Sequence, residues 1–429
     1  MNKNVSLITL GCAKNLVDSE YLVTGLKHVG YKISDDINNS DTVIINTCGF
    51  LDIAREESIN KIIEIENKKK AGNVEKVIVM GCLSERYGDD LQKELPLIDK
   101  FFGSEDHEAV IKYISGKDFS LDDPDIIRAS LTPSHYSYLK IAEGCDNGCS
   151  FCSIPLMRGL QKSQPLRWNV EEAKRLASRG VKELLVIAQD STSYGWDLNP
   201  KTSLHELMAE LDKIDGLEWL RLHYAHPAHL HREMIDQFSN LEKLIPYIDM
   251  PIQHGSDKML KIMRRGLKSD GIRKRIEGLR KANDQIALRT SIIVGHPDET
   301  EQDFQDMINL ISEIRFDRLG VFQYSHEENT HAADIMEDNV PKKIKQERFK
   351  ETMALQQKIN FEKNKDLVGT KQKILIDVVK EDLSLGRTFR DSPQIDNYVK
   401  INQNLEVGKF YDIHVTSAEE YDLTGKVVN

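Results

Sequence analysis

Tyr138-Leu139-Lys140-Ile141-Ala142 runs directly into Glu143-Gly144-Cys145-Asp146-Asn147-Gly148-Cys149-Ser150-Phe151-Cys152, and the reading of that join decides the fold. The first five residues have the apolar and aromatic character of a β-strand. The loop that follows is a compact C-x-x-x-C-x-x-C, in which Gly144 and Gly148 permit a tight turn around a metal. A complete all-cysteine site for a four-iron cluster needs four thiolates. Three leave one iron free for an outside ligand. Zinc is a second reading, but it usually takes two pairs of ligands, and no further Cys or His pair lies at suitable spacing. A buried structural set of cysteines is the third.

Working outward, residues 136–340 read as a second α/β region of the chain. Its strand candidates are Tyr138–Ala142, Glu183–Ala188, Leu217–Tyr224, Tyr247–Met250, Ala287–Val294 and Leu319–Tyr324. Helical patterns such as Val170–Arg179 and Ser256–Met263 separate them. Six β/α units predict a partial (β/α)6 barrel, short of the eight that close one. The compact cysteine loop follows the first strand, on the face where barrels carry chemistry.

Residues 1–115 alternate in the same way. Val5–Leu10, Thr42–Asn46 and Lys76–Met80 are strand candidates. Val17 to Val29 reads as a helix closed by Gly30, and Ile59, Ile62, Ile63 and Ile65 mark a second helix. The alternation predicts a parallel sheet with covering helices, whose ligands bind beyond the carboxyl ends of the strands. Cys12, Cys48 and Cys82 each stand just after one of the three strands. Small apolar cysteines are common at buried strand ends. Their shared offset nevertheless predicts that widely spaced residues converge as a second three-thiol site.

Residues 116–135 read as a polar linker and 341–366 as a charged helical connector, opened by Pro341 and ended near Gly369. Residues 367–429 read as a small all-β barrel with strands Gln372–Val379, Gly386–Arg390, Tyr398–Ile401, Phe410–Val415 and a short fifth at Asp422–Val428. At 429 residues, two or three domains are expected. No apolar run approaches the roughly 18 residues that span a bilayer. The Met1-Asn2-Lys3-Asn4 start lacks the apolar core of a signal peptide. A cytoplasmic, membrane-free setting follows, where cysteines more often bind metals than form disulfides. The net charge of −11 argues against a general nucleic-acid binder. The segment 364–429 carries 9 Lys/Arg and 11 Asp/Glu, a net −2 that suits a basic protein partner better than RNA phosphate. The run His223-Tyr224-Ala225-His226-Pro227-Ala228-His229-Leu230-His231 invites a metal reading. Pro227 breaks any helix that would align the rings, so barrel-loop or surface histidines are expected. Lys342, Lys343 and Lys345 read as a solvated helix face.

The compact triplet resembles the signature of the radical S-adenosylmethionine enzymes. Leu10-Gly11-Cys12-Ala13-Lys14-Asn15, Asn46-Thr47-Cys48-Gly49-Phe50 and Met80-Gly81-Cys82 resemble the amino-terminal domain of the methylthiotransferases within them. The terminal barrel resembles a TRAM domain, so the likeness covers essentially the whole chain. Ala188-Gln189-Asp190-Ser191-Thr192-Ser193-Tyr194-Gly195, Ile154-Pro155-Leu156-Met157-Arg158-Gly159 and Gly386-Arg387-Thr388-Phe389-Arg390-Asp391-Ser392-Pro393 are similar to the RimO branch, which modifies ribosomal small-subunit protein twelve. The Gln-Asn-Val-Asn turn of the tRNA-modifying MiaB branch is absent. Gly295-His296-Pro297-Asp298-Glu299 departs from the usual Gly-Phe-Pro-Gly-Glu.

The resemblance implies two 4Fe-4S clusters, one on Cys145, Cys149 and Cys152 and one on Cys12, Cys48 and Cys82. It implies S-adenosylmethionine as radical source and methyl donor, with Gln189 as a candidate cofactor contact. It further implies methylthiolation of an aspartate β-carbon, and a reductant such as flavodoxin or ferredoxin. The alternatives are MiaB-like methylthiolation of a tRNA adenosine and, more remotely, a non-catalytic iron-sulfur carrier.

Overall fold

In the computed structural model, residues 4–120 and 127–428 are described, so part of the expected 116–135 linker, residues 121–126, lies outside the described residues. The chain divides into two compact units. One comprises residues 1–132, 143–146 and 153–162, and the other residues 133–142, 147–152 and 163–429.

The first unit is a doubly wound α/β layer. Its strands are β1 (Asn4–Thr9), β2 (Lys32–Ile33), β3 (Thr42–Thr47), β4 (Lys76–Gly81) and β5 (Lys100–Phe101), all parallel in the order β2-β1-β3-β4-β5. Helices α1 (Ala13–His28), α2 (Asp52–Lys70), α3 (Cys82–Glu94) and α4 (His107–Ser115) cover it. Strand β3 is buried along its whole length, as a central parallel strand requires. Its side chains alternate between two cores. Ile44 packs with Leu22, Leu26, Val110 and Ile111, whereas Val43 and Ile45 pack with Ile62, Ile65 and Leu83. The two-residue strands β2 and β5 were not expected from the sequence, because a pair of residues carries no readable periodicity. Helix α1 starts at Ala13, four residues before the expected Val17, with Cys12 at its N-cap. The described end of the linker is tied down rather than free. Ala129 N donates to Thr24 Oγ1 at 2.7 Å, and Arg128 pairs with Glu20 at 3.1 Å.

The second unit holds a six-stranded sheet and a closed five-stranded barrel. The sheet strands Tyr136–Lys140, Glu183–Ile187, Trp219–Leu222, Leu244–Asp249, Ala287–Val294 and Arg318–Gln323 lie in sequence order, each parallel to the next. This is the expected partial barrel. Leu184, Val186, Leu220, Leu222 and Ile248 form its core with helix residues Leu207, Leu211, Phe238, Ile276 and Leu279.

Helix Lys342–Asp366 follows, with Pro341 at its N-cap. The expectation of a solvated lysine face fails at Lys345. That residue is buried, its ammonium bound to the Asp338 carboxylate at 2.7 Å and set over the Tyr324 ring. The terminal barrel closes in the order Lys371–Lys380, Leu383–Arg387, Val399–Ile401, Leu423–Val427, Phe410–Ala418. Its second strand ends at Arg387, not at the expected Arg390. Thr388 Oγ1 donates to Asp391 Oδ2 and accepts from Arg390 N, which turns the chain out of the ladder.

Candidate metal centres

In the first unit the three dispersed cysteines follow adjacent strands. Cys12 is the N-cap of α1, Cys48 directly follows β3, and Cys82 opens α3. The 2-1-3-4-5 strand order places its switch point between β1 and β3, where open α/β sheets take ligands. Asn15 organises the crevice. Its Nδ2 donates to the carbonyls of Leu10 at 2.9 Å and Thr47 at 3.0 Å, cross-linking two strand ends. Its Oδ1 faces the sulfurs of Cys12 at 4.0 Å and Cys82 at 3.8 Å. Ser58 brackets Cys48, accepting from its N at 3.1 Å and donating to its carbonyl at 3.0 Å.

Two glycines make the approach possible. Gly11 has φ +91°, and a Cβ there would lie 2.6 Å from Cys48 Cβ. Gly81 has φ +103°, and a Cβ would lie 2.5 Å from the Thr47 carbonyl oxygen. Burial pushes the Cys48 and Cys82 thiols up, Cys82 to about 12, while the Arg158 guanidinium acts in the opposite direction on both. A metal that demands thiolates would reverse that balance. Three converging sulfurs held by backbone-anchored loops fit a thiophilic cluster with one coordination position to spare.

The compact loop spans the division between the two units. In the first, Cys145 is buried and its N donates to the Gly159 carbonyl at 3.1 Å. In the second, Cys149 and Cys152 share one turn, with Cys152 N donating to the Cys149 carbonyl at 3.2 Å. Arg265, buried, donates Nη1–H to Cys149 Sγ at 3.0 Å and Nη2–H to the Pro251 carbonyl at 2.8 Å. Asn147 is held by Asp190, its Nδ2 donating to Oδ2 at 2.8 Å. The Phe151 ring lies edge-on to that of His296, with centroids 6.4 Å apart.

Comparison with known proteins resolves what this pattern belongs to. Residues 139–311 match the Radical SAM superfamily, 368–428 the TRAM domain, and 4–103 the uncharacterized protein family UPF0004. The chain is 44% identical to the ribosomal protein uS12 methylthiotransferase RimO of Bacteroides thetaiotaomicron, covering 100% of this chain and 99% of the relative. It is 42% identical to the RimO of an Anaeromyxobacter species over 99% of this chain and 93% of that one. The chain belongs to the RimO methylthiotransferase family. Among solved structures, the radical S-adenosylmethionine methyltransferase TsrM of Kitasatospora setae aligns with a TM-score of 0.56 at 14% identity, covering 78% of this chain and 77% of that one. The cobalamin-dependent radical enzyme OxsB aligns with a TM-score of 0.53 at 12% identity, over 80% and 56%. Both share the fold. Membership of the radical SAM superfamily implies one 4Fe-4S cluster and S-adenosylmethionine, and enzymes of that kind need a reductant.

In this RimO-family chain, Gln189 is half-buried beyond the end of strand Glu183–Ile187. Its neighbour Asp190 is the better-connected residue. Thr192 N and Oγ1 donate to its Oδ1, and Asn147 and His229 Nδ1 bond its Oδ2, each of the latter at 2.8 Å. Burial opposes ionisation, but those hydrogen bonds hold the carboxyl below the usual carboxylate range. The histidine run lies in the loop between strand Trp219–Leu222 and helix Arg232–Asn240, as expected of barrel-loop histidines, and His223 and His226 are buried there. Asp190, His226 and His229 bring ligand atoms within 4.8 Å of one another, and the two rings stack at 4.6 Å. With four bonds already on its oxygens, Asp190 reads as the anchor of the cysteine loop and of His229 rather than as a metal ligand.

The departure at Asp298 has a conformational cause. Asp298 adopts φ +64° where the family pattern has glycine, and aspartate is among the residues that tolerate the left-handed region. Glu299 still caps the turn, its Oε2 accepting from Gly295 N at 2.5 Å and His296 N at 3.2 Å. Sequence reasoning missed Asn15, Arg158 and Arg265 as residues that touch the cysteines. The Ile154–Gly159 stretch carried a signal for Arg158, through its likeness to the family. Asn15 stood three residues after Cys12 in a quoted motif, with nothing to assign it a role.

Proposed function

We propose that this chain methylthiolates the β-carbon of an aspartate in ribosomal small-subunit protein twelve, uS12, in the cytoplasm. Three domains serve that reaction: an amino-terminal α/β domain at 1–115, a radical SAM partial barrel at 136–340 and a TRAM-like barrel at 367–429. Residues 116–135 and 341–366 link them. Cys145, Cys149 and Cys152 would hold one 4Fe-4S cluster, with Gln189 beside the bound S-adenosylmethionine. Cys12, Cys48 and Cys82 would hold the other. When bound, the first cluster supplies one-electron reductive cleavage of S-adenosylmethionine and the second presents sulfur for transfer. A low-potential donor such as flavodoxin or ferredoxin would supply the electron.

The observation that carries the reading is the convergence of Cys12, Cys48 and Cys82 on one crevice. An ordinary radical SAM enzyme would have no use for a second three-thiol site. What favours a protein substrate over RNA is the name of the relatives and the charge of the terminal barrel. That barrel is not basic overall, and its Arg387 is fully buried between carboxylates, so that side chain is not available to a phosphate. No helix among the described residues is long and apolar enough to cross a membrane. Mass spectrometry of uS12 and of tRNA from a deletion strain tests the assignment. The uS12 methylthio group should be lost and restored by the intact gene. Loss confined to a tRNA adenosine would overturn it in favour of the MiaB-like reading.

A further inference from the structure

Arg158 is buried in the first unit and all three of its guanidinium nitrogens are engaged. Nη1 donates to Asp18 Oδ2 at 2.6 Å and Glu143 Oε2 at 3.1 Å. Nη2 donates to Asn15 Oδ1 at 2.5 Å, the same oxygen that faces the Cys12 and Cys82 sulfurs. Nε donates to Cys82 Sγ at 3.1 Å. A guanidinium present only to neutralise the two carboxylates would be satisfied at Nη1. Its orientation instead turns the Nε edge to the sulfur and the far nitrogen to the asparagine that braces the crevice. The fork is planar, so both contacts depend on the same rotamer, which Asp18 and Glu143 lock. The partners come from the start of α1, the start of α3 and the segment before Cys145, so one side chain fixes three pieces of the site.

We infer that Arg158 is the positioning residue of the Cys12/Cys48/Cys82 cluster, its Nε–H bonding the Cys82 sulfur and its charge raising that cluster's reduction potential. This rests on the reading of that triplet as a cluster site. Hydrogen bonds to the sulfurs and net charge around a cluster are what set its potential. A cation donating to one thiolate withdraws electron density from the ligand and stabilises the state with one more electron. The couple is a one-electron gain by the cluster from a mediator or flavodoxin-class donor, with no bond made or broken.

The test uses the full-length chain bearing Cys145→Ala, Cys149→Ala and Cys152→Ala, anaerobically reconstituted so that only this cluster is present. Mediated redox titration followed by electron paramagnetic resonance gives its midpoint. Adding Arg158→Gln should lower the reduced-to-oxidised ratio at fixed potential about tenfold, a shift of about 59 mV to the negative. Arg158→Lys, which keeps the charge but not the fork, should fall between. A midpoint unchanged in Arg158→Gln overturns the inference, because a merely structural clamp would alter stability and leave the potential in place. If Arg158→Gln does not assemble a cluster, Arg158→Lys decides: a negative shift supports the role and an unchanged midpoint overturns it. Absence of iron from the triple-alanine parent is a different result. It overturns the cluster reading itself.

Discussion

Replacing Arg387 by Met should loosen the terminal barrel from the six-stranded sheet of the second unit. Arg387 is fully buried; its Nη2 bonds Glu183 Oε2 at 2.7 Å and its Nε bonds Asp377 Oδ2 at 2.5 Å. Glu183 lies on the second sheet strand and keeps Arg221 Nε at 2.6 Å, while Asp377 keeps His135 Nε2 at 2.8 Å. Arg221 in turn donates to the Phe389 carbonyl of the barrel at 2.7 Å. Removing one member of a buried pair costs about 3–5 kcal/mol, since the stranded charge has lost its solvent. Each carboxylate here retains one partner, which places the expected loss near the lower end, about 3 kcal/mol.

Trp219 is the reporter, because its ring packs edge-on against Phe410 of the barrel with centroids 4.8 Å apart. Urea unfolding followed by tryptophan fluorescence should show an early loss of that contact in the variant. The double variant with Glu183→Gln should cost less than the sum of the singles, since the two share one interaction. The pH dependence has a definite sign. Despite burial, which opposes ionisation, Arg387 and Arg221 hold Glu183 below the usual carboxylate range, and His135 and Arg387 do the same for Asp377. Their contribution is therefore complete above an unfolded pKa of about 4 and fades as pH falls through the lower folded values. The difference between parent and variant should persist from pH 7 to about 5 and shrink in stronger acid. A variant within about 0.5 kcal/mol of the parent at neutral pH would refute the reasoning, as that is the range of an ordinary surface substitution. The same network means that deleting residues from Leu367 onward would expose Glu183 and Arg221.

Three further outcomes are expected. Anaerobic reconstitution should load about eight irons per chain, falling to about four when Cys145, Cys149 and Cys152 are changed together to Ala, as iron and sulfide assays would show. Cys48→Ala should abolish methylthiolation of uS12 but leave reductive cleavage of S-adenosylmethionine, measured as 5′-deoxyadenosine. Loss of cleavage in the folded variant would mean the triplets do not act separately. Gly81→Ala, at φ +103° with its Cβ 2.5 Å from the Thr47 carbonyl, should cost at least about 1–3 kcal/mol and impair iron uptake by the Cys12/Cys48/Cys82 site, read by denaturation and iron content. Full iron content with parental stability would show that the Gly-Cys approach is not needed.

The sequence by itself carried both thiol sets and most of the scaffold. Parallel strands end in ligands, so the offset of Cys12, Cys48 and Cys82 from three apolar runs was enough to expect their convergence. The six sheet strands announced themselves by the same apolar runs. What it could not carry was the pairing of charges. Arg158 meets Asp18 across 140 positions, Arg265 meets Cys149 across 116, and Arg387 meets Glu183 across 204. Lys345 looked solvated because a lysine's burial depends on whether a carboxylate such as Asp338 waits where its helix lands. Nothing in the sequence marked Asp190 as the residue around which His226, His229 and Asn147 gather. Hydrophobic periodicity is local, and the covalent chain reports it directly. A buried ion pair exists only once the fold has removed the water between two distant side chains, and that is decided by the tertiary structure alone.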